Sequence, residues 1–305
     1  MKNSGFLFGL IGYPVKHSFS ASMHNAALSE LGIAARYNLF EIKPEDLESF
    51  LLDRHRELAD IHGTGFFVRD INGFNITIPH KVTALAILRK SGFARAGNSA
   101  AVELAGATNT VKRSDKECIY WNTDVPGFLT SLEKDLRFNP SPQTNVCIIG
   151  AGGAGRAVIA ALSDTVHTLY VYEKAFTAST SAKEHFCACQ ERYPYIKDKI
   201  KFIGDGELAN VIPKCHLLVN ASPVGMEEGD GSSVSTTLLH KNLAVYDVVY
   251  NRKTQLISAA NALGVPAAGG LGMLLYQGVY AFEIWTGQRA PVDLMARVLK
   301  EELAK

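Results

Sequence analysis

The hexapeptide Gly150-Ala-Gly-Gly-Ala-Gly155 has the residue types and spacing to hold a pyrophosphate. It follows the apolar run Val146–Ile149 and leads into Arg156-Ala-Val-Ile-Ala, the context of a buried strand turning into a helix. At such a junction bare backbone N–H groups and the positive end of the helix meet phosphate. Gly150 permits the tight turn, Gly152 lets the backbone approach the phosphates, and Gly155 lets helix pack on strand. Ala151, Gly153 and Ala154 complete the loop. An acid about 20 residues further on would bind the ribose hydroxyls, and Glu173 stands there, after the run Thr168–Tyr172. A carboxylate at that place repels a 2′-phosphate and favours NAD over NADP. The ammonium of the adjacent Lys174 could instead swing towards a phosphate, and Glu173 by itself also reads as a solvated strand-end acid.

A second set of polar residues lies upstream. In Gly73-Phe-Asn-Ile-Thr-Ile-Pro-His-Lys81, an extended strand sets Asn75 and Thr77 on one face and Phe74, Ile76 and Ile78 on the other. Pro79 ends the strand, and the following turn presents Lys81. Two neutral polar groups and an ammonium on one side suit a polyhydroxy ligand; alone, the segment reads as an edge strand with a solvated lysine. Asn122-Thr-Asp-Val-Pro126 reads as a helix start, with Thr123 or Asp124 as cap and Pro126 in the first turn. Ser18 and Ser20 precede a helix, where they either cap it or, with free N–H groups, bind a carboxylate. Asn109-Thr110 reads as a turn and Asn220-Ala-Ser-Pro223 as a strand-end loop. His185, Cys187 and Cys189 are metal-ligand types, but their spacing fits an ordinary helix and no metal is expected.

The elements that must position these groups alternate in type. Strands are expected at Phe6–Ile11, Tyr37–Ile42 and Phe74–Ile78, with a helix at Ser20–Leu31 stopped by Gly32 and another starting at Pro44. Ala107–Lys112 and Cys118–Trp121 read as a hairpin, and the charged, glycine-rich 54–70 stretch as a surface excursion. From Thr144 onward, strands at Val146–Ile149, Thr168–Tyr172, Lys201–Ile203, His216–Val219 and Ala244–Val248 give the pattern of a doubly wound parallel sheet. Helices Thr254–Leu263, Leu271–Trp285 and Pro291–Leu303 follow. Asn139-Pro-Ser-Pro-Gln143 interrupts both periodicities and is the best boundary.

With 305 residues the chain is longer than most single cores, which stop growing near ~250–300 residues, so two domains are expected. A net charge of +1 carries no nucleic-acid footprint. The apolar runs stop short of a membrane span, and Met1–Phe6 leads straight into a strand without a signal-peptide pattern. Five cysteines without framework spacing fit reduced thiols in the cytoplasm.

Taken together and in order, these segments resemble the shikimate dehydrogenase family, including its quinate/shikimate members. The likeness runs from Gly9-Leu-Ile-Gly-Tyr-Pro-Val-Lys-His-Ser18 to Trp285-Thr-Gly287. Its most specific pieces are GFNITIPHK, GATNT at Gly106–Thr110, NTD at Asn122–Asp124, YDVVYN at Tyr246–Asn251 and GLGMLLYQG at Gly270–Gly278. The resemblance implies an α/β dehydrogenase of two domains, with its site in the cleft between them. Residues 1–126 plus 271–305 would form an α/β substrate-binding and catalytic domain, and 127–270 a Rossmann-like dinucleotide domain. It implies a serine pair, Ser18 and Ser20, for a substrate carboxylate, and Asn75, Thr77, Asn109, Tyr250 and Gln277 for ring hydroxyls. Lys81 and Asp124 match the pair flanking the reacting hydroxyl, with Lys81 as general acid/base. Val248, Gly270 and Met273 match positions bordering the nicotinamide, and Asn220 falls on the cofactor side.

Departures from the family pattern qualify this. Glu173-Lys174-Ala175 stands where NADP-dependent members carry Asn-Arg-Thr, which favours NAD as cofactor over NADP. Ala21 replaces the usual proline after the serines, and Gly269 a frequent acid. The expected partner is a small molecule, shikimate with quinate as the alternative, and the expected assembly a monomer or homodimer. A non-catalytic NAD-binding sensor is the rival of another class.

Overall fold

The computed structural model of the protein describes residues 5–174 and 181–305. The chain divides into two compact units, Met1–Thr123 with Gln277–Lys305, and Asp124–Tyr276. Residues 124–126 and 271–276 thus fall in the second unit, where the resemblance placed both in the first.

The first unit holds β1 (Phe6–Gly12), α1 (Ser20–Glu30), β2 (Ala35–Glu41), α2 (Leu47–Leu52), β3 (Glu57–Ala59), β4 (Gly65–Phe67) and β5 (Ile71–Ile76). It continues with α3 (Lys81–Ser91), β6 (Ala94–Ala96), α4 (Ser99–Ala105), β7 (Thr110–Arg113) and β8 (Cys118–Trp121). A six-stranded sheet runs β2-β1-β5-β7-β8-β6. Its β2-β1-β5 side is parallel, and β5-β7-β8 is antiparallel. Phe74 and Ile76 of β5 enter a core with Ile11, Phe40, Phe50 and Val111, as the alternation predicts. The strand stops at Ile76, two residues early, and Ile78 is exposed; Pro79 lacks the N–H that would extend a ladder. The 54–70 stretch is not a bare surface excursion. Its β3 and β4 pair antiparallel, and Phe66 and Val68 enter the same core. Its apolar residues Leu58, Ile61, Phe66, Phe67 and Val68 are spaced unevenly among charge and glycine, so no period registers.

His24, on α1, is fully buried and stacked on Tyr37, with centroids 4.4 Å apart and planes 11° apart. Neither ring nitrogen has a hydrogen-bond partner among the described residues. Burial lowers its pKa from 6.5 to about 3. The folded state holds the neutral ring, whereas the unfolded chain gains a proton below pH 6.5. Stability from this site is therefore intact above pH 6.5 and lost as pH falls towards 3, by up to about 1.4 kcal/mol per pH unit. Thermal melts between pH 7 and 5 are expected to fall more steeply for the parent than for His24→Phe, which keeps the stack. Parallel profiles would remove His24 as the source.

The second unit begins with α5 (Asp124–Lys134), β9 (Asn145–Ile149), α6 (Gly153–Leu162), β10 (Thr168–Tyr172), α7 (Ser181–Arg192), β11 (Ile200–Ile203) and α8 (Leu208–Val211). After these come β12 (Leu217–Asn220), β13 (Ala244–Asp247), α9 (Gln255–Leu263), β14 (Ala267–Gly269) and the start of α10 (Leu271–Thr286). The remainder of α10 and α11 (Val292–Leu303) return to the first unit. The sheet order is β11-β10-β9-β12-β13-β14 with every pairing parallel, the doubly wound order. The sixth strand, Ala-Ala-Gly, has no branched or aromatic residue to announce it. On α7, Cys189 Sγ lies 3.5 Å from His185 Nε2 while Cys187 is exposed. Among the described residues no helix is long and apolar enough to cross a membrane.

Candidate active site

Strand order in the second unit reverses between β9 and β12, and ligands of open α/β sheets bind beyond the carboxyl ends at such a point. Gly150 leaves β9 with φ +97°, and a Cβ there would come within 2.8 Å of the Ala221 carbonyl. A Cβ on Gly155 would strike the Gly150 carbonyl oxygen, so helix and strand touch at that glycine. Gly152 is exposed with open space where its Cβ would stand. The first turn of α6 is thereby left bare, with N–H groups that no helical carbonyl can reach. These residues fit a dinucleotide pyrophosphate.

Glu173 is not a detached strand-end acid. Its Oε2 accepts the Ala151 N–H at 2.7 Å, which holds the carboxylate against the glycine loop. Lys174 beside it is exposed, and Ala175 lies outside the described residues. Asn220, expected at the cofactor, spends its side chain on the protein. It donates to Asp247 Oδ1 at 2.8 Å and to the Val224 carbonyl at 3.1 Å, and accepts from the Ser222 hydroxyl at 2.7 Å. Asp247 also accepts from Thr254 Oγ1 at 2.7 Å; burial raises its pKa, and these hydrogen bonds pull the other way. Val248 and Gly270 meet directly, since a Cβ on Gly270 would strike the Val248 carbonyl. Met273 is buried in the first turn of α10, and burial pushes the Tyr250 phenol up. Asp124, the first residue of α5, is 4 % exposed.

In the first unit the polar positions form one network. Ser18 Oγ donates to Ser20 Oγ at 3.1 Å, and the N-cap of α1 is Phe19, without a side-chain cap. Ser18 Oγ also accepts the Ser20 N–H at 3.3 Å, at the start of α1, so that hydroxyl serves the helix end as well as its partner serine. Ser20 also bonds the Tyr37 phenol, which donates to Asn75 Oδ1 at 2.9 Å. Asn75 Nδ2 donates to Thr110 Oγ1 at 3.0 Å. Asn109 Nδ2 donates to Thr123 Oγ1 at 2.9 Å and to Gln277 Oε1 at 3.4 Å, while its Oδ1 accepts the Thr123 N–H at 2.7 Å. Asn109 is thus more than a turn residue. Tyr37, Thr110 and Thr123 were not marked by sequence as members of this set. Only Thr110 and Thr123 lay inside motifs that could have signalled them. Thr77 follows β5 half-buried, and Lys81 opens α3, its carbonyl accepting the Thr108 N–H at 3.0 Å.

Comparison with known proteins bears on both units. The family model described as the shikimate dehydrogenase substrate binding domain matches residues 10–111. That described as the shikimate 5′-dehydrogenase C-terminal domain matches residues 270–300. A relative from Methanopyrus kandleri, a shikimate dehydrogenase (NADP+), is 37 % identical over 97 % of this chain and 95 % of its own. A crystal structure of a shikimate dehydrogenase with NADP+ superposes with a TM-score of 0.83 at 30 % identity, covering 99 % of this chain and 96 % of that one. Quinate dehydrogenase from Corynebacterium glutamicum, solved with NAD, gives 0.79 at 28 % identity over 97 % and 99 %.

Proposed function

The chain belongs to the shikimate dehydrogenase family, and on that premise we propose that it reversibly oxidises shikimate to 3-dehydroshikimate, with NAD preferred to NADP. The observation that carries the substrate assignment is the network of Ser18, Ser20, Asn75, Asn109 and Gln277 in the first unit. Preorganised hydroxyl and amide groups of this kind suit a ring bearing a carboxylate and several hydroxyls. Ser18 and Ser20 hold the carboxylate; Asn75, Thr77, Asn109, Tyr250 and Gln277 hold the hydroxyls.

When bound, the nicotinamide dinucleotide exchanges a hydride at C4. Lys81 accepts the proton of the reacting hydroxyl on oxidation and returns it on reduction. Asp124 orients that hydroxyl and the lysine. Gly150–Gly155 hold the pyrophosphate and Glu173 the ribose, while Val248, Gly270 and Met273 border the nicotinamide. The NAD preference rests on the Glu173 carboxylate, tied to the Ala151 N–H beside the phosphate-binding turn. The Methanopyrus kandleri relative is named for NADP+, so both dinucleotides are tested.

Quinate is the second substrate to test, given the likeness to quinate dehydrogenase. It differs from shikimate at the carbon bearing the carboxylate, so the surroundings of Ser18, Ser20 and Thr77 discriminate. The test is absorbance from NADH or NADPH formation with shikimate and with quinate, each with both dinucleotides. Shikimate with NAD is expected to be fastest. No rate in any combination leaves a non-catalytic sensor; faster quinate oxidation reassigns the substrate, and a preference for NADP removes the Glu173 argument alone.

A further inference from the structure

Three elements of the second unit each lead to a residue assigned to the reaction. Helix α5 begins with Asp124, β13 runs into Val248, and α10 follows Gly270 and bears Met273. All three meet at one phenol. Tyr246, in β13, is fully buried. Its hydroxyl lies 2.7 Å from that of Ser131 on α5, and the Met273 backbone N–H bonds the same phenol. Ser131 in turn donates to Asp135 Oδ2 at 2.6 Å. An ionised carboxylate only accepts, so the direction of the whole line follows. The Met273 N–H donates to the phenol, the phenol to Ser131, and Ser131 to Asp135. Met273 is the third residue of α10, where an N–H has no acceptor within its own helix.

Packing holds the same junction. The Phe128 ring meets Tyr246 edge-on, with centroids 5.1 Å apart and planes at 76°. A Cβ on Gly272 would strike the Asp135 carboxylate and the Ser131 hydroxyl, so α10 lies against α5 at that glycine. Asp124, Phe128 and Ser131 are spaced by four and three residues, which puts them on one face of α5. Any rotation of the helix that breaks the Ser131 bond also turns Asp124.

We propose that Tyr246 is a positioning residue for the dehydrogenase reaction. Through Ser131 it sets the rotation of α5 and so the aim of Asp124; through the Met273 N–H it sets the first turn of α10 beside the nicotinamide position. The proposal rests on the assignments of Asp124, Val248, Gly270 and Met273 made above.

Tyr246→Phe in the full chain, assayed with shikimate beside the parent enzyme, tests it. The expected result is a kcat lower by roughly 10- to 100-fold, with KM for shikimate within about twofold. The primary deuterium isotope effect on kcat, with shikimate deuterated at the reacting carbon, is expected to exceed the parent's. A merely structural role lowers the melting temperature and leaves the isotope effect of the folded enzyme unmoved. Ser131→Ala keeps the phenol as partner for Met273 and is expected to show a smaller change in the same direction; it decides the matter if Tyr246→Phe does not fold. A kcat and isotope effect equal to the parent's in the folded variant overturn the proposal alone. A parent enzyme inactive on shikimate overturns the functional reading and this proposal with it.

Discussion

Lys81→Ala is expected to lower kcat for shikimate oxidation by roughly 10²- to 10⁴-fold, with KM changed no more than a few-fold. The lysine opens α3 after residues 77–80, which follow the strand that carries Asn75, and its carbonyl is tied to the Thr108 N–H. Alanine's methyl in place of the aminobutyl chain removes the proposed proton carrier, while Ser20, Tyr37 and Asn75 keep their own bonds. Lys81→Arg separates proton transfer from charge. Arginine keeps the cation but does not deprotonate in proteins, so it is expected not to restore turnover. Rescue by arginine would make the residue an electrostatic anchor, and equal losses in kcat and substrate affinity would assign it to binding.

The second large effect is expected in cofactor choice. Glu173→Gln should raise kcat/KM for NADPH by roughly tenfold or more and lower the ratio of NADH to NADPH preference. On the proposed function, the carboxylate held on the Ala151 N–H stands beside the cofactor ribose. Even screened to about 1.4–2.8 kcal/mol, its repulsion of a 2′-phosphate amounts to roughly 10- to 100-fold. Glutamine keeps an acceptor for the Ala151 N–H, so the glycine loop should stay in place and the melting temperature should hold. Steady-state kinetics with both reduced dinucleotides and 3-dehydroshikimate measure the shift. An unchanged ratio would mean that Glu173 serves the loop and not the ribose.

The glycine turn, the parallel strands that flank it and the acid at the end of β10 were legible in sequence because each is a local pattern. A tight turn needs glycine where φ is positive, as at Gly150, and a buried strand needs a run such as Val146–Ile149. Lys81 and Asp124 were singled out by the family motifs around them, and each is the first residue of a helix. Weak local signals failed. The strands β3, β4 and β14 are three residues each, too short to show a period. The partners of Asn220 are hidden from sequence for another reason. Its side chain answers to Asp247, 27 residues away, and no spacing rule connects them.

Sequence alone thus supplies the candidates: a glycine turn between strand and helix, an acid at the end of β10, a lysine and a set of hydroxyl and amide side chains. Which side chains meet is a matter of tertiary structure. Asn109 meets Gln277 across 168 residues, Asn75 meets Tyr37 across 38, and Ser131 meets Tyr246 across 115. Local backbone geometry imposes periods of two or 3.6 residues that a sequence must display. A hydrogen bond between distant segments imposes none, because it needs only that the two groups arrive at the same buried place.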